Sequence, residues 1–217
     1  MALEILYEDR DIIVVIKPRG VSSQSNSSFE EDMVSLLKKH IGRDAYIGVV
    51  HRLDKPVYGI MVYGKNKNVT AILSEEMRKK KLEKIYEVLV EGRPDKAEGE
   101  LRDFIIQYKG DNISHRLDKN IQGAKEAVLN YKTLLTENKN GMLISRLMIK
   151  LITGRHHQIR LQCAAHGFPL FGDYKYNKRL PERKCEYDKV LTLAAVKLSF
   201  LHPVKKVKLE YKIDADF

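Results

Sequence analysis

The chain has 217 residues, 43% of them apolar, which is enough to bury a core and too many for a natively disordered segment. Lysine and arginine outnumber the acids by 39 to 29, giving a net charge of +10, the balance of a protein that meets a polyanion such as nucleic acid. The acidic start MALEILYEDRD does not fit a secretory signal, no run of about 18 uncharged apolar residues follows, and Cys163 and Cys185 form no CxxC pair, so the expectation is a reduced, cytoplasmic, soluble chain without structural zinc.

LEILYE and DIIVVIKP, two apolar runs joined by the polar corner from Glu8 to Asp11, predict a hairpin. Ser28 followed by Glu31 reads as a capping box, and Met33, Leu36, Leu37 and Ile41 recur at helical spacing until Gly42. AYIGVV and VYGIMVYG predict strands on either side of residues 51–55. A lysine-rich helix is predicted from about Asn68 to Lys81, and KIYEVLVEG follows as a strand. Residues 95–125 are polar and read as a peripheral excursion. AKEAVLNYKTLL and MLISRLMIKLIT resume the pattern of sheet, HHQIRLQCAAHG predicts a helix of about three turns, and LTLAAVKLSF and KKVKLEYKI close the chain as strands. No linker rich in proline, glycine or serine interrupts this order, so a single α+β domain over residues 1–217 is the simplest reading.

One pentapeptide occurs twice: HRLDK stands at residues 51–55 and again at 115–119. The first copy lies between apolar strands, where Asp54 is partly desolvated, rigidly held and sensitive to one nearby cation. The second lies in DNISHRLDKNIQG, where Asp118 faces water and its ion pairs are worth at most about 1 kcal/mol. Asp54 is therefore the candidate reactive group, and Asp118 a surface coincidence. TGRHHQIR, residues 153–160, offers partners: a strand ends, Thr153 and Gly154 turn, and Arg155, His156, His157, Gln158 and Arg160 fall in the first turns of a helix. One arginine there can hold a carboxylate ionised while its neighbours and the free helix N–H groups bind phosphate. The competing reading is a solvated basic helix end. Adjacent histidines point in different directions and make no metal pair.

HRLDK with its glycine-containing strand, then KIYEVLVEG, then TGRHHQIRLQCAAHGFPLFGDYKY, resembles in content and order the RNA pseudouridine synthases of the RluA family. LYEDRDIIVVIKPRGVSSQ and LAAVKLSFLHP are similar to that family's outer segments, so the likeness spans almost the whole chain. The resemblance implies a mixed, mainly antiparallel sheet with flanking helices and a central cleft, and isomerisation of uridine to pseudouridine in ribosomal or transfer RNA without metal or organic cofactor. It implies that Asp54 is the catalytic aspartate, that Arg52 helps displace the target nucleotide, that Tyr86 lies against the target base, and that Arg160 is the basic residue paired with the aspartate. Arg155, His157 and Gln158 are the remaining expected substrate contacts. Two departures stand out: Lys55, Pro56, Val57 and Tyr58 precede Gly59 where the family has a small hydroxyl pair, and His156 replaces a threonine. The pattern begins almost at residue 1, leaving no room for an N-terminal S4 module.

The expected partner is structured RNA with a looped or bulged uridine, because extruding a base costs a few kcal/mol inside a duplex. Neither DNA nor a membrane is expected, and a monomer is adequate. Residues 175–189, KYNKRLPERKCEYDK, read as a basic loop available to phosphates. Two other functions compete: an inactive RNA-binding protein or chaperone on the same fold, and a two-carboxylate glycoside hydrolase, which lacks a second acid in a comparable setting.

Overall fold

The computed structural model describes residues 3–25, 30–178 and 190–217. The chain forms two compact units, Met1–Lys84 with Ala194–Asp216, and Ile85–Leu193 with Phe217.

In the first unit β1 (Glu4–Glu8) and β2 (Ile12–Lys17) form the expected hairpin, and β2 pairs antiparallel with β4 (Tyr58–Gly64). Every residue of β2 is buried, which is why its sequence is a continuous apolar run rather than an alternation. β10 (Leu193–Leu201) runs parallel to β4, with Ala194 opposite Tyr58 and Ala195 opposite Gly59, and β11 (Lys208–Lys212) returns antiparallel on β10. The sheet is thus mixed, with one parallel pair. Gly59 is required there, since at φ +137° a Cβ would stand 2.4 Å from the Ala195 carbonyl oxygen.

Two helices flank that unit. In α1 (Met33–Ile41) the cap is Asp32, whose carboxylate accepts from Ser35 N–H while Ser35 Oγ accepts from Asp32 N–H. The expected box on Ser28 falls outside the described residues, and Glu31 pairs with Lys39 instead. α2 (Lys67–Arg78) is capped by Asn66 and ends three residues before the expected Lys81. It lies so close on Gly64 and on Gly48 of β3 (Gly48–Val49) that a Cβ at either would meet Thr70 Oγ1 at 2.2 or 2.0 Å. Ile12, Val14, Ile60, Val62, Val69, Leu73, Leu198 and Phe200 form the core beneath. Beside the first corner, Asp9 accepts from Tyr7, His202 and Lys205 and from the N–H groups of Asp11 and Ile12. Burial works against its ionisation, but those donors hold its carboxyl well below the usual carboxylate range. Asp9, Asp11 and His202 are close enough to ligate a metal, and the Lys205 ammonium and His202 already occupy Asp9 Oδ2.

In the second unit β5 (Glu83–Glu91, from Ile85 onward), β9 (Met142–Leu151), β8 (Lys125–Lys139), β6 (Glu98–Ile106) and β7 (His115–Leu117) pair antiparallel in that order. Residues 95–125 therefore hold two strands where a polar excursion was expected. The inward positions of β6 are Leu101, Asp103 and Ile105, and the aspartate in the middle disguises the period-two pattern. α3 (Gln158–Ala165) is short, and six consecutive residues from Gln158 to Cys163 are buried, polar ones included. Burial pushes the Cys163 thiol far above its ordinary value. Among the described residues no helix is long and apolar enough to cross a membrane.

Candidate active site

In the first unit, the segment from Val50 to Val57 has no regular secondary structure, yet it is tied down at nearly every residue. His51 is buried; its Nε2 accepts from Val62 N–H at 3.2 Å, so the ring proton lies on Nδ1, which has no hydrogen-bond partner among the described residues. Burial, helped by the Lys84 ammonium, pushes its pKa down to about 3, so the ring is neutral. Ser23 Oγ accepts from Leu53 N–H at 2.9 Å and donates to Leu53 C=O at 2.7 Å. Val57 N–H donates to Asp54 C=O at 2.9 Å, closing a turn over the aspartate. Asp54 itself is half-buried and Arg52 is exposed. Two alternating neighbours, His51 and Leu53, point into the core while Arg52 points out, which fixes the direction of the chain at residue 54.

Sequence reasoning passed over Lys17, which ends β2 inside the run IIVVIK. It is fully buried, and its Nζ donates to the carbonyls of Pro18, Val21 and Lys55 at 2.9, 2.7 and 3.1 Å. Burial pushes its pKa down to about 7 against the opposing pull of the Asp54 carboxylate. A lysine at the end of an apolar strand is a readable signal, since such a charge is tolerated only when its three donors are all met. The departure at Val57 and Tyr58 has a local explanation: Val57 is buried and Tyr58 enters β4 opposite Ala194.

In the second unit Tyr86 lies on β5 opposite Ile149, 5% exposed, on the same face as Val88 and Val90. TGRHHQIR turns as expected from strand to helix, but its polar groups are largely consumed locally. Gln158 Oε1 accepts from Thr153 Oγ1 at 2.8 Å and Arg155 N–H at 2.9 Å, and its Nε2 donates to Val128 C=O and Gln162 Oε1 at 3.1 and 3.0 Å. All four positions of that amide are filled by protein. Arg155 is half-exposed and donates through Nε to Glu126 C=O at 2.9 Å.

His157 caps α3 in the left-handed conformation, φ 52°, and stacks on His156 at 3.7 Å between ring centroids. Burial, with the charges of Arg160, His156 and Lys175, pushes its pKa down to about 3. Its Nδ1 lies 2.9 Å from the Tyr176 hydroxyl, which accepts from Ser114 N–H at 2.7 Å. His156, the other departure, keeps its Nδ1 within 3.0 Å of Ser114 Oγ, and that hydroxyl also donates to the His156 carbonyl at 2.9 Å. Arg160 is buried and grips Asp173 with Nε and Nη2 at 2.7 and 2.6 Å, its guanidinium 5.3 Å from the Tyr176 ring centroid. Asp173, inside the stretch FGDYKY, and Tyr176 were not singled out in the sequence; they organise this turn.

The second pentapeptide has a structural occupation. Arg116 donates through Nε to Asp103 at 2.5 Å, and that buried carboxylate also accepts from Gln162 at 2.8 Å and lies 3.1 Å from His166 Nε2. Asp118 is 90% exposed, 3.8 Å from Arg116. Ser114, His115 and Arg116 line a cavity of about 480 Å³ together with Ala164, Tyr176 and Lys178.

Residues 11–165 match the RNA pseudouridylate synthase family. The chain belongs to that family. A ribosomal large subunit pseudouridine synthase C of Rickettsia bellii is 34% identical over 215 residues, covering 98% of this chain and 69% of the relative. An uncharacterized RNA pseudouridine synthase of Aquifex aeolicus is 33% identical over 223 residues, with 98% and 69% covered. Human RNA Pseudouridylate Synthase Domain Containing 1 shares the fold at a TM-score of 0.79 and 22% identity, covering all of this chain and 84% of that one. Human RNA Pseudouridylate Synthase Domain Containing 4 does so at 0.77 and 22%, covering 98% and 88%. The α+β fold with its mixed sheet is thus that of the pseudouridine synthases, and this chain is an RNA pseudouridine synthase, an isomerase. In this pseudouridine synthase the HRLDK copy at 51–55 lies inside the matched region beside Lys17, and so does the copy at 115–119, which is committed to Asp103.

Proposed function

We propose that this synthase converts a uridine of large-subunit ribosomal RNA, with transfer RNA as the other candidate class, and that Asp54 is its catalytic carboxylate. The observation that carries the reading is the double hydrogen bond between Ser23 and Leu53, which holds the residue before Asp54 while leaving the aspartate half-buried. The names of the bacterial relatives support ribosomal RNA.

Turning an N-glycoside into a C-glycoside requires breaking the bond to N1, rotating the uracil, joining C5 to the sugar with loss of the C5 proton and returning a proton to N1, with bulk water excluded. Asp54 acts as nucleophile or as the base that removes a sugar proton. Lys17, held beside it by three carbonyls, helps to fix the segment through Lys55 C=O. Arg52, exposed on the same segment, enters the RNA stack as the nucleotide leaves it, and Tyr86 offers a face to the extruded uracil. Arg155 meets phosphate, Arg160 supplies fixed positive charge, and Gln158 and His157 serve RNA binding through the turn they order. Both units work as one catalytic domain, a monomer acting on structured RNA in the cytoplasm.

The test is total RNA from cells with and without the gene, treated with carbodiimide and read by primer extension. Asp54→Ala and Asp118→Ala genes are supplied back. A stop that vanishes with the gene, returns with Asp118→Ala and stays absent with Asp54→Ala supports the reading and names the substrate. A stop restored by Asp54→Ala overturns it in favour of an RNA-binding role.

A further inference from the structure

The two carbonyls that follow Asp54 are both held from the corner after β2. Lys55 C=O accepts from Gly20 N–H at 2.9 Å and from Lys17 Nζ at 3.1 Å. Pro56 C=O accepts from Arg19 Nη1 at 2.9 Å. Arg19 in turn is held by a residue almost two hundred positions away: its Nε and Nη2 fork onto the two oxygens of Asp216 at 2.8 and 2.5 Å. The side chains of that pair are only 19% and 31% exposed, and the segment carrying Asp216 is itself pinned, Ile213 N–H donating to Val196 C=O at 2.9 Å.

A planar guanidinium caught on two carboxylate oxygens loses its rotamer freedom once, and its third donor then meets Pro56 at no further entropic cost. Without the carboxylate, the guanidinium loses its two-point anchor, and water competes on equal terms for the Pro56 carbonyl. We propose that Arg19 and Asp216 form a positioning pair for the catalytic segment, setting the height of the Asp54 turn from outside the active site. This rests on the assignment of Asp54 as the catalytic group. Neither residue touches substrate; both act through the backbone of residues 55 and 56. A turn that drifts by an ångström costs rate without costing RNA affinity, because the groups that grip the RNA are elsewhere on the chain.

The experiment compares wild type, Arg19→Ala, Asp216→Ala and the charge-exchanged Arg19→Asp/Asp216→Arg. Single-turnover pseudouridine formation is followed on an in vitro transcript of bacterial large-subunit ribosomal RNA, and amide hydrogen exchange is followed in the free proteins. The single substitutions are expected to lower the rate constant roughly tenfold with an unchanged half-saturating RNA concentration. They also speed exchange of the Val57 amide and its neighbours while α2 and β11 keep wild-type protection, and the exchanged pair, which restores the ion pair but leaves Pro56 C=O without its donor from residue 19, recovers neither. Wild-type rate or wild-type exchange at residues 54–57 in both single variants overturns the proposal, as does exchange that rises throughout the first unit, which marks ordinary destabilisation. If the wild-type protein converts no uridine in the transcript while exchange rises at 54–57 alone, the clamp stands and the assignment of substrate falls.

Discussion

Two stretches of identical sequence, HRLDK at 51–55 and at 115–119, have different structures and occupations. In the first, the histidine is buried and neutral, the leucine is bound through its backbone to Ser23, and the aspartate follows as a half-exposed group beside an interior lysine. In the second, the segment forms part of β7, the histidine pairs with Asp111 at 3.0 Å, the arginine neutralises Asp103, and the aspartate stands in solvent. The letters are the same, but the first copy is enclosed by β2 and β4 and the second decorates the edge of a sheet. A carboxylate becomes a reagent through what immobilises and desolvates it.

The sharpest break in that comparison is chemical. Asp54→Asn is expected to lower single-turnover pseudouridine formation by roughly 10³-fold or more, whereas Asp118→Asn leaves it unchanged; equal effects would erase the distinction. Next in size is stability. Asp103→Ala removes the shared acceptor of Gln162, Arg116 and His166 and is expected to cost about 3 kcal/mol in urea unfolding. Ser23→Ala leaves Leu53 N–H and C=O without their partner and is expected to cost about 2 kcal/mol. It also slows catalysis, which Asp103→Ala, measured below its unfolding transition, does not.

A pH series sharpens the comparison further. Unfolded, His51 takes up its proton near 6.5; folded, it does so only near 3. Between those values the unfolded chain holds more protons, so the contribution of neutral His51 is fully present above pH 6.5 and is lost as pH falls toward 3, by at most about 1.4 kcal/mol per pH unit. Replacing His51 by Gln should flatten that slope in thermal melts. The smallest expected effect is that of Asp118→Ala, which should leave the melting temperature at the wild-type value.

Much of this contrast was legible beforehand, because flanking hydrophobicity alone separates the two copies. The hairpin of β1 and β2, α1 from Met33 to Ile41 and the long strands β8 and β9 follow from apolar period and turn residues. β6 escaped because Asp103 occupies an inward position, and only its long-range partners Arg116, Gln162 and His166 make that burial tolerable. The α1 cap was misread for a similar reason: Ser28 with Glu31 and Asp32 with Ser35 share the spacing of a capping box, and only the fold shows that the second pair brackets the start of the helix. Gln158 and Arg160 were legible as important but not in their occupations, since Val128, Thr153 and Asp173 come to them only through the fold. Lys17 was hidden by familiarity, a lysine ending a strand, although full burial makes it the most informative residue of that run.

Cys163 lies at the centre of α3 with no exposure to solvent. A thiol that is sealed off and held protonated reacts with an alkylating reagent only while its surroundings are open. In a Cys185→Ser background, the labelling rate of Cys163 is therefore a clock for the breathing of the arginine-bearing turn. That clock runs without any radiolabel, RNA or knowledge of the target uridine.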